Sequence, residues 1–190
     1  MTPQDAPLHL GQLVPDELPP GKISRLMVEV GRDALARPLA LPVLVARGTR
    51  PGPVLGITAA VHGNELNGIP VIQRLFKGLD PTTLRGTIVG VVVVNIPGYL
   101  SHSRGFLGSW DLNHSFPGRA DGNAAEVYVH RLMDRIVTRF DLLLDLHTAS
   151  FGRVNSLYVR ADMTDASTAR LAYLQRPQIV VHNPPSDQTL

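Results

Sequence analysis

The chain has 190 residues, 44% hydrophobic and 18% charged, enough for one globular domain with a substantial core. Its net charge of +2 comes from scattered Lys and Arg; with no basic run and only five Phe, four Tyr and one Trp, nucleic-acid binding has no support. Cysteine is absent, which excludes disulfides, thiolate nucleophiles and thiolate metal sites and fits a reducing, cytoplasmic compartment. Residues 1–21 show no basic segment followed by an apolar one, so no signal peptide is expected. The longest apolar run, TIVGVVVVNIPG, is too short to span a membrane and reads as buried strand.

In chain order, residues 1–22 read as an irregular lead-in rich in Pro, Asp and Gln. ISRLMVEV (23–30) and PLALPVLVARG (38–48) read as strands bounded by Gly and Pro, so that 1–48 forms a β-rich lead-in to a core over 49–190. PVLGITAAV (53–61) has the small and β-branched composition of a strand buried on both faces. Helical spacing follows over 66–79, through Ile69, Val71, Ile72, Leu75 and Phe76. TIVGVVVVNI (87–96) is a second buried strand, and 97–120 a long polar loop. A helix starts near Gly122 with Asp121 as its expected N-cap. DLLLDLH (141–147) and NSLYVR (155–160) read as a third and fourth buried strand. A short helix (165–175) and a strand (178–183) complete the pattern. Such alternation predicts an α/β fold with a largely parallel central sheet flanked by helices.

Ligands of such sheets bind beyond the carboxyl ends of the strands. His62 and Glu65 lie just past one strand end, His147 ends another, and Asn95 leads a third into the polar loop. Two imidazoles and a carboxylate, with a fourth position left for water, make a zinc-ligand set. Taken alone, H-x-x-E reads equally well as a solvated helix start with Glu65 near the positive end of the dipole. His147 alone could be a satisfied histidine at a strand end; together, at neighbouring strand ends, the three point to one metal ion. Asp145 faces the same way as His147 along a strand, so it either orients that imidazole or caps the loop.

HGNE (62–65), DLNHSFPG (111–118) and DLHTA (145–149) resemble, in order and over about residues 50–150, the succinylglutamate desuccinylase/aspartoacylase family. These are zinc amidohydrolases related to the metallocarboxypeptidases. The resemblance implies a zinc-carboxypeptidase-like fold and one zinc held by His62, Glu65 and His147. It also implies that Arg104 stabilises the oxyanion and that Asn113 and the residue after it bind the substrate carboxylate. That second position is usually arginine in the family; here it is His114, which cannot form arginine's bidentate fork.

The family's general base is a glutamate on a strand beyond the last zinc ligand. This chain has Glu17, Glu29, Glu65 and Glu126, none after His147. The order of the other elements favours a chain that continues past Leu190, with a natural pseudoenzyme as the alternative. The expected function is zinc-dependent hydrolysis of an N-acyl amino acid or similar small amide. A non-catalytic zinc- or ligand-binding module is the second reading, and a metallocarboxypeptidase the third. The expected partner is a small molecule, with neither nucleic acid nor membrane.

Overall fold

The computed structural model describes residues 6–184 and 190. Six strands form one sheet in the order β1 (Leu8–Leu10), β2 (Lys22–Arg32), β3 (Pro38–Arg47), β5 (Arg85–Val91), β4 (Arg50–Ala59) and β6 (Leu142–Leu146). β5, β4 and β6 run parallel, whereas β3 is antiparallel to both β2 and β5. The sheet is therefore mixed: β5, β4 and β6 form a parallel half, β2 and β3 add the antiparallel pairings, and the short β1 lies parallel to β2 at the edge. The short β1 and a single 3-10 turn at Pro15–Glu17 lie within the stretch expected to be irregular.

Two helices cover the two faces. Alternation along β2, β3 and β5 sends Leu26, Val28, Val30, Leu41, Val43, Val45, Val89 and Val91 into one core. There they meet Val129 and Leu132 of α3 (Ala124–Arg135) and Ile136 at its C-terminal cap. The opposite face packs Ala46, Ile57 and Ala59 against Ile72 and Phe76 of α1 (Gly68–Gly78). Gly90 lets α1 approach, because a Cβ there would lie 2.6 Å from Ile72 and 2.8 Å from Phe76.

Three expectations need correction. The cap of α3 is Asn123, not Asp121. Its Oδ1 accepts from Ala125 N and Glu126 N at 2.9 and 3.1 Å, and Glu126 Oε2 accepts from Asn123 N at 2.8 Å, a complete capping box. Asp121 instead pairs with Arg119. The strand over 87–96 stops at Val91. Beyond it Val94 N and Asn95 N bond to Ala59 O and Ala60 O, and the five-residue helix α2 (Ile96–Leu100) opens what read as loop. Finally, β6 is a half-buried edge strand, and β7 (Tyr158–Ala161) does not join the main sheet. β7 pairs in parallel with β8 (Ile179–His182) through α4 (Ala166–Leu174), a small βαβ unit with exposed Leu157, Tyr158, Leu174 and Ile179. Apolar composition identified these strands, but it does not specify a partner.

Among the described residues no helix is long and apolar enough to cross a membrane.

Candidate metal centre

At the end of β4 the chain turns so that Glu65 N bonds to His62 O at 3.0 Å, which brings both side chains to one side of the turn. The turn sits hard against α2: a Cβ on Gly63 would lie 2.1 Å from the carbonyl carbon of Gly98, so this position needs glycine. Asn95, fully buried, ties the same region together, donating to Val61 O and accepting from Gly98 N. Gly63 N donates to Arg104 O at 3.2 Å, which anchors the long loop over the turn.

His62 and Glu65 are 2% and 3% exposed, so their polar atoms need partners. Glu65 Oε2 accepts from Thr148 N at 2.9 Å and stands 3.0 Å from His147 Nδ1. Glu65 Oε1 accepts from Arg104 Nη1 at 2.7 Å and stands 2.9 Å from His62 Nδ1. The far nitrogens of both imidazoles face carboxylates: His62 Nε2 lies 3.0 Å from Asp111 Oδ1, and His147 Nε2 lies 2.6 Å from Asp145 Oδ2. Asp145 is held in turn by the hydroxyl of Thr58 at 2.7 Å, its register partner on β4.

This geometry fits a divalent cation. With Nε2–H directed at Asp111, His62 Nδ1 presents a lone pair. That nitrogen is buried and makes no hydrogen bond, although Glu65 Oε1 is 2.9 Å away. Two lone pairs so close repel unless a cation lies between them. One donor atom each from His62, Glu65 and His147 lies within 4.8 Å of the others. Burial opposes ionisation of Glu65, but hydrogen bonds from His147 and the Thr148 N–H outweigh it and hold its carboxyl below the usual range. Burial likewise disfavours the His147 imidazolium, yet Asp145 and Glu65 raise it to about 10, so a metal ion competes with a proton at Nδ1.

Of the other expected residues, Arg104 reaches the cluster with its side chain 49% exposed. Asn113 and His114 belong to a 3-10 turn, Leu112–His114, capped by Asp111 Oδ1, which accepts from Asn113 N at 2.9 Å. Asn113 is half-buried and His114 exposed. Sequence reasoning assigned no role to Asp111 or Thr58. Asp111 heads the DLNHSFPG motif, and Thr58 is a polar residue inside an apolar strand; those were the available signals.

A mixed α/β sheet with a His–Glu–His cluster at the carboxyl ends of its parallel strands defines a zinc-carboxypeptidase-like fold. Residues 51–190 match the succinylglutamate desuccinylase/aspartoacylase catalytic domain, and the chain belongs to that family. It is 31% identical over 109 residues to the N-alpha-acetyl-L-2,4-diaminobutyric acid deacetylase of Halomonas elongata, covering 57% of this chain and 32% of that one. An aspartoacylase family protein from Mesorhizobium loti superposes with a TM-score of 0.73 at 28% identity, over 88% of this chain and 54% of its own. A succinylglutamate desuccinylase from a Silicibacter species shares the fold, with a TM-score of 0.67 at 19% identity over 88% and 54% of the two chains. The chain thus spans about a third of the curated relative and about half of these two solved ones.

Proposed function

We propose that the protein is a zinc-dependent amidohydrolase that removes the acyl group from a small N-acyl amino acid or similar amide. The observation that carries this reading is the buried His62 Nδ1, without a hydrogen bond, converging with Glu65 and His147 on one point. Family membership and the deacetylase relative support it.

His62, Glu65 and His147 hold the ion, and Asp111 and Asp145 fix the two imidazoles from behind. Zinc supplies Lewis acidity and a water of lowered pKa. Arg104 turns its guanidinium toward the carbonyl oxygen that gains negative charge. Asn113 and His114 position the amino-acid end. Because His114 replaces a bidentate arginine, the preferred substrate is smaller or differently charged at that end than a dicarboxylate. Glu17 lies in the 3-10 turn Pro15–Glu17, Glu29 pairs with Arg32 on β2 and Glu126 caps α3, so of the four glutamates Glu65 stands in the cluster, and there it serves as a ligand. We therefore assign the proton-transfer role to none of the four glutamates, and these 190 residues alone are expected to bind metal better than they turn over substrate. The same observation sustains the second reading, a zinc- or ligand-binding module without turnover.

Zinc stoichiometry of the purified protein beside His147→Ala tests the site. About one zinc per chain, lost in the variant, is expected. A folded chain without zinc, or with zinc unchanged in the variant, overturns the metal reading. Acyl amino acids assayed against dipeptides then separate deacylase from carboxypeptidase, and zinc binding without hydrolysis of either favours the binding module.

A further inference from the structure

Arg104 is built into the metal centre itself. Its Nη1 donates at 2.7 Å to Glu65 Oε1, the same oxygen that faces His62 Nδ1 at 2.9 Å. Its Nη2 lies 3.5 Å from Asp111 Oδ2, while the other oxygen of Asp111 meets His62 Nε2 at 3.0 Å. Arg104, Glu65, His62 and Asp111 thus close a ring of four side chains around one side of the cluster. The backbone of Arg104 is fixed too: its carbonyl accepts from Gly63 N and Asn95 Nδ2 at 3.2 and 3.5 Å. The guanidinium therefore stands at a ligand oxygen without needing a substrate to bring it there, and it cannot shed its charge.

We propose that Arg104 is a positioning residue that sets the metal affinity of the site, competing with the cation for Glu65 Oε1 and weakening binding by its fixed charge. The proposal rests on the metal reading above and goes beyond a role for Arg104 toward substrate. Two effects act in one direction. A carboxylate oxygen that accepts a charge-assisted hydrogen bond has less electron density to give an ion. A positive charge a few ångströms from a divalent cation also repels it, with water screening much of that because the side chain is half-exposed. After that discount the expected effect is about tenfold in affinity. A site tuned in this way leaves more of the ion's charge unneutralised than three undisturbed ligands would.

The test is zinc affinity, measured by competition with a chromophoric chelator at neutral pH on the full chain. Wild type, Arg104→Met, Arg104→Lys and His62→Ala are compared, with circular dichroism confirming the fold of each. Arg104→Met is expected to bind zinc about tenfold more tightly, and Arg104→Lys, which keeps the charge, to stay within about threefold of wild type. Equal or weaker binding by the Met variant, or a Lys variant that tightens as Met does, overturns the proposal. If Arg104→Met does not fold, Arg104→Gln, which also removes the charge, is read in its place: tighter zinc binding than wild type supports the proposal, and equal or weaker binding refutes it. Wild type without zinc, or binding indifferent to His62→Ala, overturns the underlying metal reading as well, so the two failures are distinguishable.

Discussion

The inner sheet and the C-terminal βαβ unit are built from similar apolar runs, yet they differ sharply in what those runs bury. β2, β3 and β5 each have strand neighbours on both sides and α1 or α3 on their faces, so their valines and leucines are almost wholly enclosed. β7 and β8 have only each other, and Leu174 of α4 is 65% exposed. The lesson is that hydrophobic composition makes a strand, whereas position in a layered sheet makes a core. The candidate metal centre lies at the boundary between the regimes: His62 and Glu65 follow a central strand, and His147 directly follows the edge strand β6.

The sharpest way to break this comparison is a paired truncation. Leu132→Ala, in the enclosed core under α3, is expected to cost about 2–5 kcal/mol in urea unfolding. A loss as large at an exposed leucine would dissolve the distinction. At the boundary, Asp145→Asn should lower zinc affinity by about 10–100-fold, because it removes the carboxylate that holds His147 from behind. Chelator competition would show it, and unchanged affinity would place Asp145 outside the site.

The same boundary predicts two opposite pH trends. The His147 imidazolium is raised from 6.5 to about 10 in the folded protein, so its contribution to the stability of zinc-stripped protein is complete below about 6.5. That contribution is lost as pH climbs toward 10, while zinc affinity rises over the same window because Nδ1 must lose its proton. A His147→Gln variant should flatten the stability trend; a trend that survives the substitution belongs to another group.

Smaller effects are expected elsewhere. Asn123→Ala, which removes one half of the α3 capping box, should cost about 1 kcal/mol in the same unfolding assay. Leu174→Ala should fall within about 0.5 kcal/mol of wild type. If it proves strongly destabilising, the βαβ unit buries this leucine in solution, and the contrast between the two regions must be redrawn.

Much of the candidate site was legible because its signals are local. HGNE places an imidazole and a carboxylate one turn apart, and DLH places Asp145 and His147 on one side of a strand. Asp111 was not read as a partner of His62, since 49 residues separate them and only the packed loop brings them to 3.0 Å. The cap of α3 was misread for a more local reason. Asp121 and Asn123 are both good capping residues, and the choice between them fell to Glu126, which completes a box with Asn123 alone.

By itself the sequence determined the kinds of the longer elements, though not β1 or α2, the burial of β5 and of the C-terminal part of β4, and the chemistry carried to the strand ends. Each follows from backbone periodicity and residue type within a few positions. Only the tertiary structure decided that β3 runs antiparallel against β5, that β7 and β8 stand apart from the main sheet, and that Arg104 rests on Glu65 across 39 residues. These are choices among distant partners, and they are settled by which surfaces exclude water together, a property that no single stretch of chain possesses.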